Sequence, residues 1–277
     1  MKTINLLWLL FLPIFWCPAQ TNGPLISSVA VLTIHVSNTN VHAGVFHLLA
    51  DVLKLPVDYY PVSLGQRRYA AVYAGNLFIE PCGPYSGWDY PVKDFQALFF
   101  GLNCVSTLSV ETLTARARDG GFQSESAGQT TIRITDRSVA EGIYLAITSQ
   151  PECASAESKE LRLQTALTGN RNKGIGLERV REIWLGYDDP HAIQKWTQLL
   201  GKPAAGAETE WLLNKQQRIR LVKSPIGGVR GIVCKVGSLG QAERYLKENA
   251  LFGRHNNDRI ELDPAKTFGL RICLSAD

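Results

Sequence analysis

The sequence predicts an α+β chain assembled from four β-α-β-β-β units. Three observations predict it. The stretch Glu182–Gly201, E-I-W-L-G-Y-D-D-P-H-A-I-Q-K-W-T-Q-L-L-G, reads as strand, tight turn, amphipathic helix and terminating glycine. The same succession recurs three more times in weaker form, which is the mark of an internal repeat. Finally, the segments that follow each helix are short, β-rich and punctuated by turn residues such as Gly75-Asn76.

In Glu182–Gly201, Ile183 and Leu185 point to one side of the strand, Glu182 and Trp184 to the other. Asp188 or Asp189 can cap the helix, and Pro190 suits its first position because a missing N–H costs nothing there. Ile193, Trp196, Leu199 and Leu200 recur at helical spacing, and Gly201 can end the helix.

From the start of the globular region, Val29–Val36 is β-rich and apolar on both faces. Val41, Val45, Leu48 and Val52 then form one helix stripe. Val57–Val62, Arg68–Tyr73 and Leu77–Glu80 complete the first unit. Pro81–Pro91 is a Pro- and Gly-rich loop carrying Tyr85, Trp88 and Tyr90, which suit a lid over an apolar ligand or a seal between units. The second unit opens with strand Leu98–Val105 and a helix marked by Val110, Leu113 and Ala117, ending at Gly120-Gly121. Strands Thr130–Thr135 and Gly142–Thr148 follow. Residues 151–177 turn polar and small and read as a linker between a first domain, 25–150, and a second, 178–277, with a short helix across Leu161–Leu167. The third unit continues with strands near Glu210–Leu213 and Arg218–Val222. The fourth begins at Gly231–Val236, has Ser238 and Gln241 at capping-box spacing, and closes with Arg259–Leu262 and Gly269–Leu274.

The 277 residues carry 45% hydrophobic and 19% charged side chains, an ordinary globular composition. A net charge of +4, with basic residues dispersed, argues against nucleic acid as a partner. Lys2, the apolar run Leu6–Trp16 and Cys17-Pro18-Ala19 have the form of a cleaved secretory signal over residues 1–19. The expected location is therefore secreted or periplasmic, with no stable membrane span after cleavage. Of six cysteines, loss of Cys17 leaves five: Cys82, Cys104, Cys153, Cys234 and Cys273. Cys82–Cys104 is the first disulfide to test. Cys234 and Cys273 fall on opposite faces of their sheet and should not pair.

These stretches resemble the vicinal oxygen chelate superfamily, the glyoxalase, bleomycin-resistance and extradiol dioxygenase-like fold. The resemblance is carried by H-V-S-N-T-N…A-D-V-L-K-L-P-V, by E-I-W-L-G-Y-D-D…W-T-Q-L-L-G, by the hairpin G-N-L-F-I-E-P and by the ending E-L-D-P-A-K-T-F-G-L-R-I-C-L. It implies units paired into two cup-shaped mixed sheets with helices outside. It also implies a divalent metal held by side chains of the first and last strands of the units. The first-strand positions here are Val31, Phe100, Glu182 and Gly231, and the last-strand positions Glu80, Ala146, Leu221 and Cys273. Only Glu80 and Glu182 are carboxylates, one in each cup, so a metal cofactor is not expected.

Four residues remain as small-molecule-binding candidates: His35, Glu80, Glu182 and Trp184. His35 faces the first cup, where it can serve a ligand or be hydrogen-bonded structurally. Glu80 in that cup is either a base with a raised pKa or the partner of a loop arginine. No P-loop, dinucleotide fingerprint, nucleophile elbow or H-E-x-x-H occurs. The expected function is small-molecule binding without the metal. The alternatives are a metal-dependent lyase or dioxygenase of the same fold, or a structural module that oligomerises through its helices.

Overall fold

The computed structural model describes residues 23–84, 94–149, 154–214, 216–256 and 258–277. The secretory signal expected over residues 1–19, Cys153 and the aromatic loop residues Tyr85, Trp88 and Tyr90 lie outside the described residues.

The first unit comprises β1 (Ser28–Val36), α1 (Thr39–His47) extended by one π turn over Leu48–Val52, β2 (Val57–Leu64), β3 (Arg67–Tyr73) and β4 (Phe78–Gly83). Asn38 sets the start of α1, its Oδ1 accepting from the backbone N–H groups of Asn40 and Val41 at 3.0 Å each. The second unit comprises β5 (Ala97–Ser106), α2 (Val110–Asp119), β6 (Ser124–Ser126), β7 (Thr131–Ile134), the single turn α3 (Arg137–Ala140) and β8 (Tyr144–Ser149). The two units form one sheet in the order β2-β3-β4-β1-β5-β8-β7-β6. β1 and β5 run antiparallel at its centre, and each is flanked by the parallel last strand of its own unit. That return of the last strand beside the first curls the sheet into a cup.

The polar stretch between the halves holds a longer helix than expected, α4 (Ala154–Gly169), which buries Leu163 and Leu167. The second half runs β9 (Leu177–Tyr187), α5 (His191–Leu200), β10 (Glu210–Leu213), β11 (Gln217–Lys223), β12 (Gly228–Val236), α6 (Leu239–Glu248), β13 (Phe252–Asn256), β14 (Arg259–Leu262) and β15 (Ile272–Ser275). Its sheet order is β10-β11-β9-β12-β15-β14-β13. The third unit has two strands after its helix rather than three. The segment 202–209, with Pro203, Gly206 and a run of small residues, offers no apolar alternation from which to build another.

The local signals of α5 are realised. The Asp189 carboxylate accepts from the His191 N–H at 2.9 Å, and Gly201 ends the helix at φ 81°. At α6, Ser238 Oγ accepts from the Gln241 N–H, but the Gln241 side chain donates to the Arg171 carbonyl instead of closing a capping box. Ile183 and Leu185 are fully buried in the helix-covered core, while Glu182 and Trp184 are buried on the concave face. One hydrophobic cluster runs through both halves, from Leu32 and Ile34 to Trp196 and Trp211.

Two amide side chains bolt the halves together reciprocally. Asn76 of the first half pairs with Val180 on β9, donating to its carbonyl and accepting from its N–H at 2.9 and 3.0 Å. Gln217 of the second half does the same to Val29 on β1, at 2.8 and 2.9 Å. The neighbouring Gly75, at φ 87°, approaches so closely that a Cβ would lie 1.9 Å from the Glu178 carbonyl oxygen. The hairpin turn read from Gly75-Asn76 is thus also a contact between halves. Among the described residues no helix is long and apolar enough to cross a membrane.

The Cys82–Cys104 disulfide is not formed. Cys82 pairs in register with His35 and Cys104 with Val29, six residues apart along β1. At ~3.3 Å per residue that is about 20 Å, far beyond the reach of a disulfide. Cys234 and Cys273 are both unbridged, Val233 rather than Cys234 being the partner of Cys273 across the ladder. They occupy opposite faces as expected.

Candidate functional site

The first cup presents Val31, Thr33 and His35 from β1, the alternate residues to the core-facing Leu32, Ile34 and Val36. Glu80 lies opposite Thr33 on β4, so Glu80 and His35 share a face one diagonal step apart. His35 is only 2% exposed. The Phe95 and Phe100 rings pack against it at centroid distances of 5.3 and 5.9 Å. This burial pulls its pKa down to about 4, leaving a neutral imidazole at pH 7. The partner of Glu80 is a tyrosine and not an arginine: the Tyr59 hydroxyl donates to Oε1 at 2.5 Å. Burial raises the Glu80 pKa, and the Tyr59 hydrogen bond works against that rise. The first cup is therefore aromatic around His35, and its charged groups include Glu80 and the Arg133–Glu125 ion pair.

The second cup is the opposite in character. Across five strands, Arg218, Glu182, Val233, Cys273 and Glu261 stand in one continuous register. The adjoining row reads Glu210, Arg220, Trp184 and Gly231. Gly231 and Glu182, equivalent first-strand positions in the sequence, do not face each other: Val233 faces Glu182, and Gly231 faces Trp184. Bulges at Arg181 and Arg230 each take one residue out of the ladder, an offset that counting from the turns misses.

Glu182 is completely buried and ion-paired. Arg259 donates to its two oxygens at 3.2 and 3.4 Å, and Trp184 Nε1 donates to Oε2 at 3.1 Å. Arg218 lies at 3.8 Å and Arg181 at 4.0 Å. Glu210 is shared by Arg218, at 3.1 Å, and Arg220. Glu261 is shared by Arg254, at 2.6 Å, and Arg271, at 2.9 Å. The Arg271 guanidinium also sits 4.7 Å from the centre of the Trp184 ring. Six arginines thus surround three carboxylates, and the cup keeps a surplus of positive charge. The sequence reading singled out Glu182 and Trp184 but none of these arginines. The signal was present in the alternation R-I-R-L at Arg218–Leu221 and R-I-E-L at Arg259–Leu262, where every second residue is charged on a strand that also supplies the core.

The residues do not fit the divalent metal that the resemblance implies. A metal needs several anionic or neutral donors free to converge on it. The candidate donors facing this cup are Glu182, Glu210, Glu261 and Cys273, and all three carboxylates are already held by guanidinium groups. Burial first, and then the charge of Glu261, push the Cys273 thiol up to about 11, away from the thiolate form that binds metals. A cation at Glu182 would have to displace Arg259 while facing Arg218. Among the described residues no three His, Cys, Asp or Glu side chains converge elsewhere.

No family model and no curated protein matches this sequence. The structure, however, is similar to solved extradiol dioxygenases. The 2,3-dioxygenase LapB from Pseudomonas sp. KL28 is 15% identical, with 91% of this chain and 92% of that one covered at a TM-score of 0.59. An extradiol ring-cleaving dioxygenase from B. fuscum is 14% identical, with 92% and 73% covered at a TM-score of 0.57. The homoprotocatechuate 2,3-dioxygenase from Arthrobacter globiformis is 15% identical, with 91% and 80% covered at a TM-score of 0.58. At these identities the likeness is one of fold, and the chain has the α+β architecture of two mixed sheets found in those structures.

Proposed function

We propose that this chain is a small-molecule-binding protein that uses the paired-cup fold without the metal site. The observation that carries the proposal is the surplus of arginine on the concave face of the second sheet. A concave, partly dehydrated surface on which guanidinium groups outnumber the carboxylates they share favours small anions, because the attraction is screened less there than in open water. Trp184, with Arg271 over its ring, adds a flat apolar surface beside those charges. Glu182 holds Arg259 in place rather than serving as a ligand to a cation. In the first cup, the rings around His35 offer an aromatic surface beside the buried carboxylate of Glu80. The leader over residues 1–19 supports export, with binding outside the cytoplasm.

A thermal-shift screen of small organic acids, amines and neutral aromatics tests the proposal. Acids should raise the melting temperature, and Arg220→Gln should weaken that response. Stabilisation by amines alone, or by no class of compound, would overturn it.

A further inference from the structure

Beyond the two cups, a cavity of about 670 Å³ opens between the halves, a size that suits a small organic ligand. One wall is the start of β5, Ala97 to Phe99, and the residues just before it. The second is Val229 and Arg230 at the start of β12. The third is the loop Pro264–Arg271 leading into β15. Polar and apolar atoms share the lining about equally, and Phe268 is its half-buried aromatic side chain.

The third wall is fixed by unusual local geometry. Phe268 has a left-handed backbone at φ 58°, which a bulky residue adopts only when its surroundings enforce it. Its ring presses on Gly44 of α1 so tightly that a Cβ there would lie 2.5 Å from the ring. The Thr267 hydroxyl donates to the Leu270 carbonyl at 2.6 Å, and the Ala97 N–H donates to the Phe268 carbonyl at 3.1 Å. The loop is thereby tied to β5 of the other half, and the cavity is held open between them.

Arg230 is the bulged residue of β12. Leu185 pairs with Val229 and Trp184 with Gly231, so Arg230 has no ladder partner and turns into the cavity. Among the described residues no carboxylate forms an ion pair with it. Its charged neighbour is Arg271, which lines the same cavity and shares its one carboxylate, Glu261, with Arg254. Burial first, and the charge of Arg271 second, hold the Arg230 guanidinium below its ordinary pKa. Two like charges therefore share the cavity with Phe268, with Asp94 the acidic residue of the lining.

We propose that the cavity between the halves is a binding site for a small amphiphilic monoanion, an apolar body bearing one carboxylate or sulfonate group, with Arg230 as the anion-recognising residue. An anionic group placed between Arg230 and Arg271 relieves their repulsion, and the apolar body lies against the half-buried Phe268. The site adjoins the second cup through Arg271, which lines both, and is distinguished from it by Arg230.

The test uses the full chain and two fluorescent probes, anilinonaphthalene sulfonate and its uncharged counterpart phenylnaphthylamine. The parent should bind the sulfonate saturably. Arg230→Gln should weaken that binding roughly ten- to a hundredfold, the value of one charge-assisted hydrogen-bonded contact, and leave the uncharged probe unaffected. Arg230→Lys should retain more affinity than Arg230→Gln. Arg220→Gln, which removes a guanidinium of the second cup, should weaken sulfonate binding much less than Arg230→Gln does. Urea unfolding of each variant establishes that the sulfonate reports on folded protein. The proposal is overturned by a parent that binds no sulfonate, by an Arg230→Gln variant that binds it undiminished, or by equal loss of both probes. Loss in Arg220→Gln alone would also overturn it, by moving the probe to the second cup. Failure of the small-acid screen would leave this outcome unaffected.

Discussion

The ion pair between Glu182 and Arg259 can be dissected by replacing Glu182 with Gln and Arg259 with Leu, singly and together. Glu182 has no exposed surface, whereas the side chains of Arg259 and Arg218 are 22% and 32% exposed. Removing the carboxylate strands a guanidinium that still reaches some water, and Arg218 keeps Glu210, so Glu182→Gln should cost about 2–3 kcal/mol. Removing Arg259 strands a fully buried carboxylate whose remaining support is the Trp184 N–H and the more distant Arg218 and Arg181. That change should cost about 3–4 kcal/mol. Added together, the single losses come to about 6 kcal/mol, but the double variant leaves neither charge stranded and should lose only about 4 kcal/mol. The coupling energy of about 2 kcal/mol is read from urea unfolding of all four proteins by circular dichroism. Losses that add to within about 0.5 kcal/mol would refute the assignment of Arg259 as the partner that defines the role of Glu182.

Three further outcomes follow from the same structure. Gln217→Ala leaves the Val29 N–H and carbonyl without their partner at the junction, so urea unfolding should show a loss of about 2–4 kcal/mol in one transition shared by both halves; two separate transitions would contradict the shared core. His35 is depressed by burial to about 4, against 6.5 in the unfolded chain, so between these values the unfolded chain takes up the proton that the folded one refuses. Its contribution is whole above pH 6.5 and is lost as pH falls toward 4, by up to about 3 kcal/mol; stability measured against pH should fall less steeply in His35→Gln, and an unchanged slope would rule out a buried neutral imidazole. Intact-mass analysis of exported protein should give a chain starting near Gln20, and retention of Met1 or a lipid on Cys17 would rule out a cleaved secretory leader.

The repeat was legible because its signals are local. Alternation in β9, the Trp196–Leu200 stripe, the Asp189 cap and Gly201 depend on residues close in sequence, and together they fix the unit and its succession. The burial of Glu182 beside an arginine was also open to inference, since a carboxylate on a doubly buried strand needs a partner. What was hidden is long-range. Arg259 reaches Glu182 across 77 positions of chain, and each arginine taken alone looks like an ordinary solvated charge. The bulges at Arg181 and Arg230 leave no mark in composition, yet they shift the register that decides whether Gly231 or Val233 meets Glu182. The Cys82–Cys104 pairing failed for the same reason, because position along β1 follows from the ladder and not from spacing. The Tyr59–Glu80 hydrogen bond likewise joins β2 to β4, which only the finished sheet brings together across β3.

The most direct test of the central claim is metal uptake. Thermal stability and bound metal should be measured for the parent, Glu80→Gln and Glu182→Gln, each with and without Fe²⁺, Mn²⁺, Ni²⁺ or Zn²⁺. With Arg259 and Arg218 holding Glu182, the expected result is no stoichiometric metal and no rise in melting temperature in any of the three proteins. A parent that binds one of these metals and melts several degrees higher, with the rise lost in Glu182→Gln, would contradict a second cup organised by guanidinium groups, since a ligand bound to the native state must stabilise it.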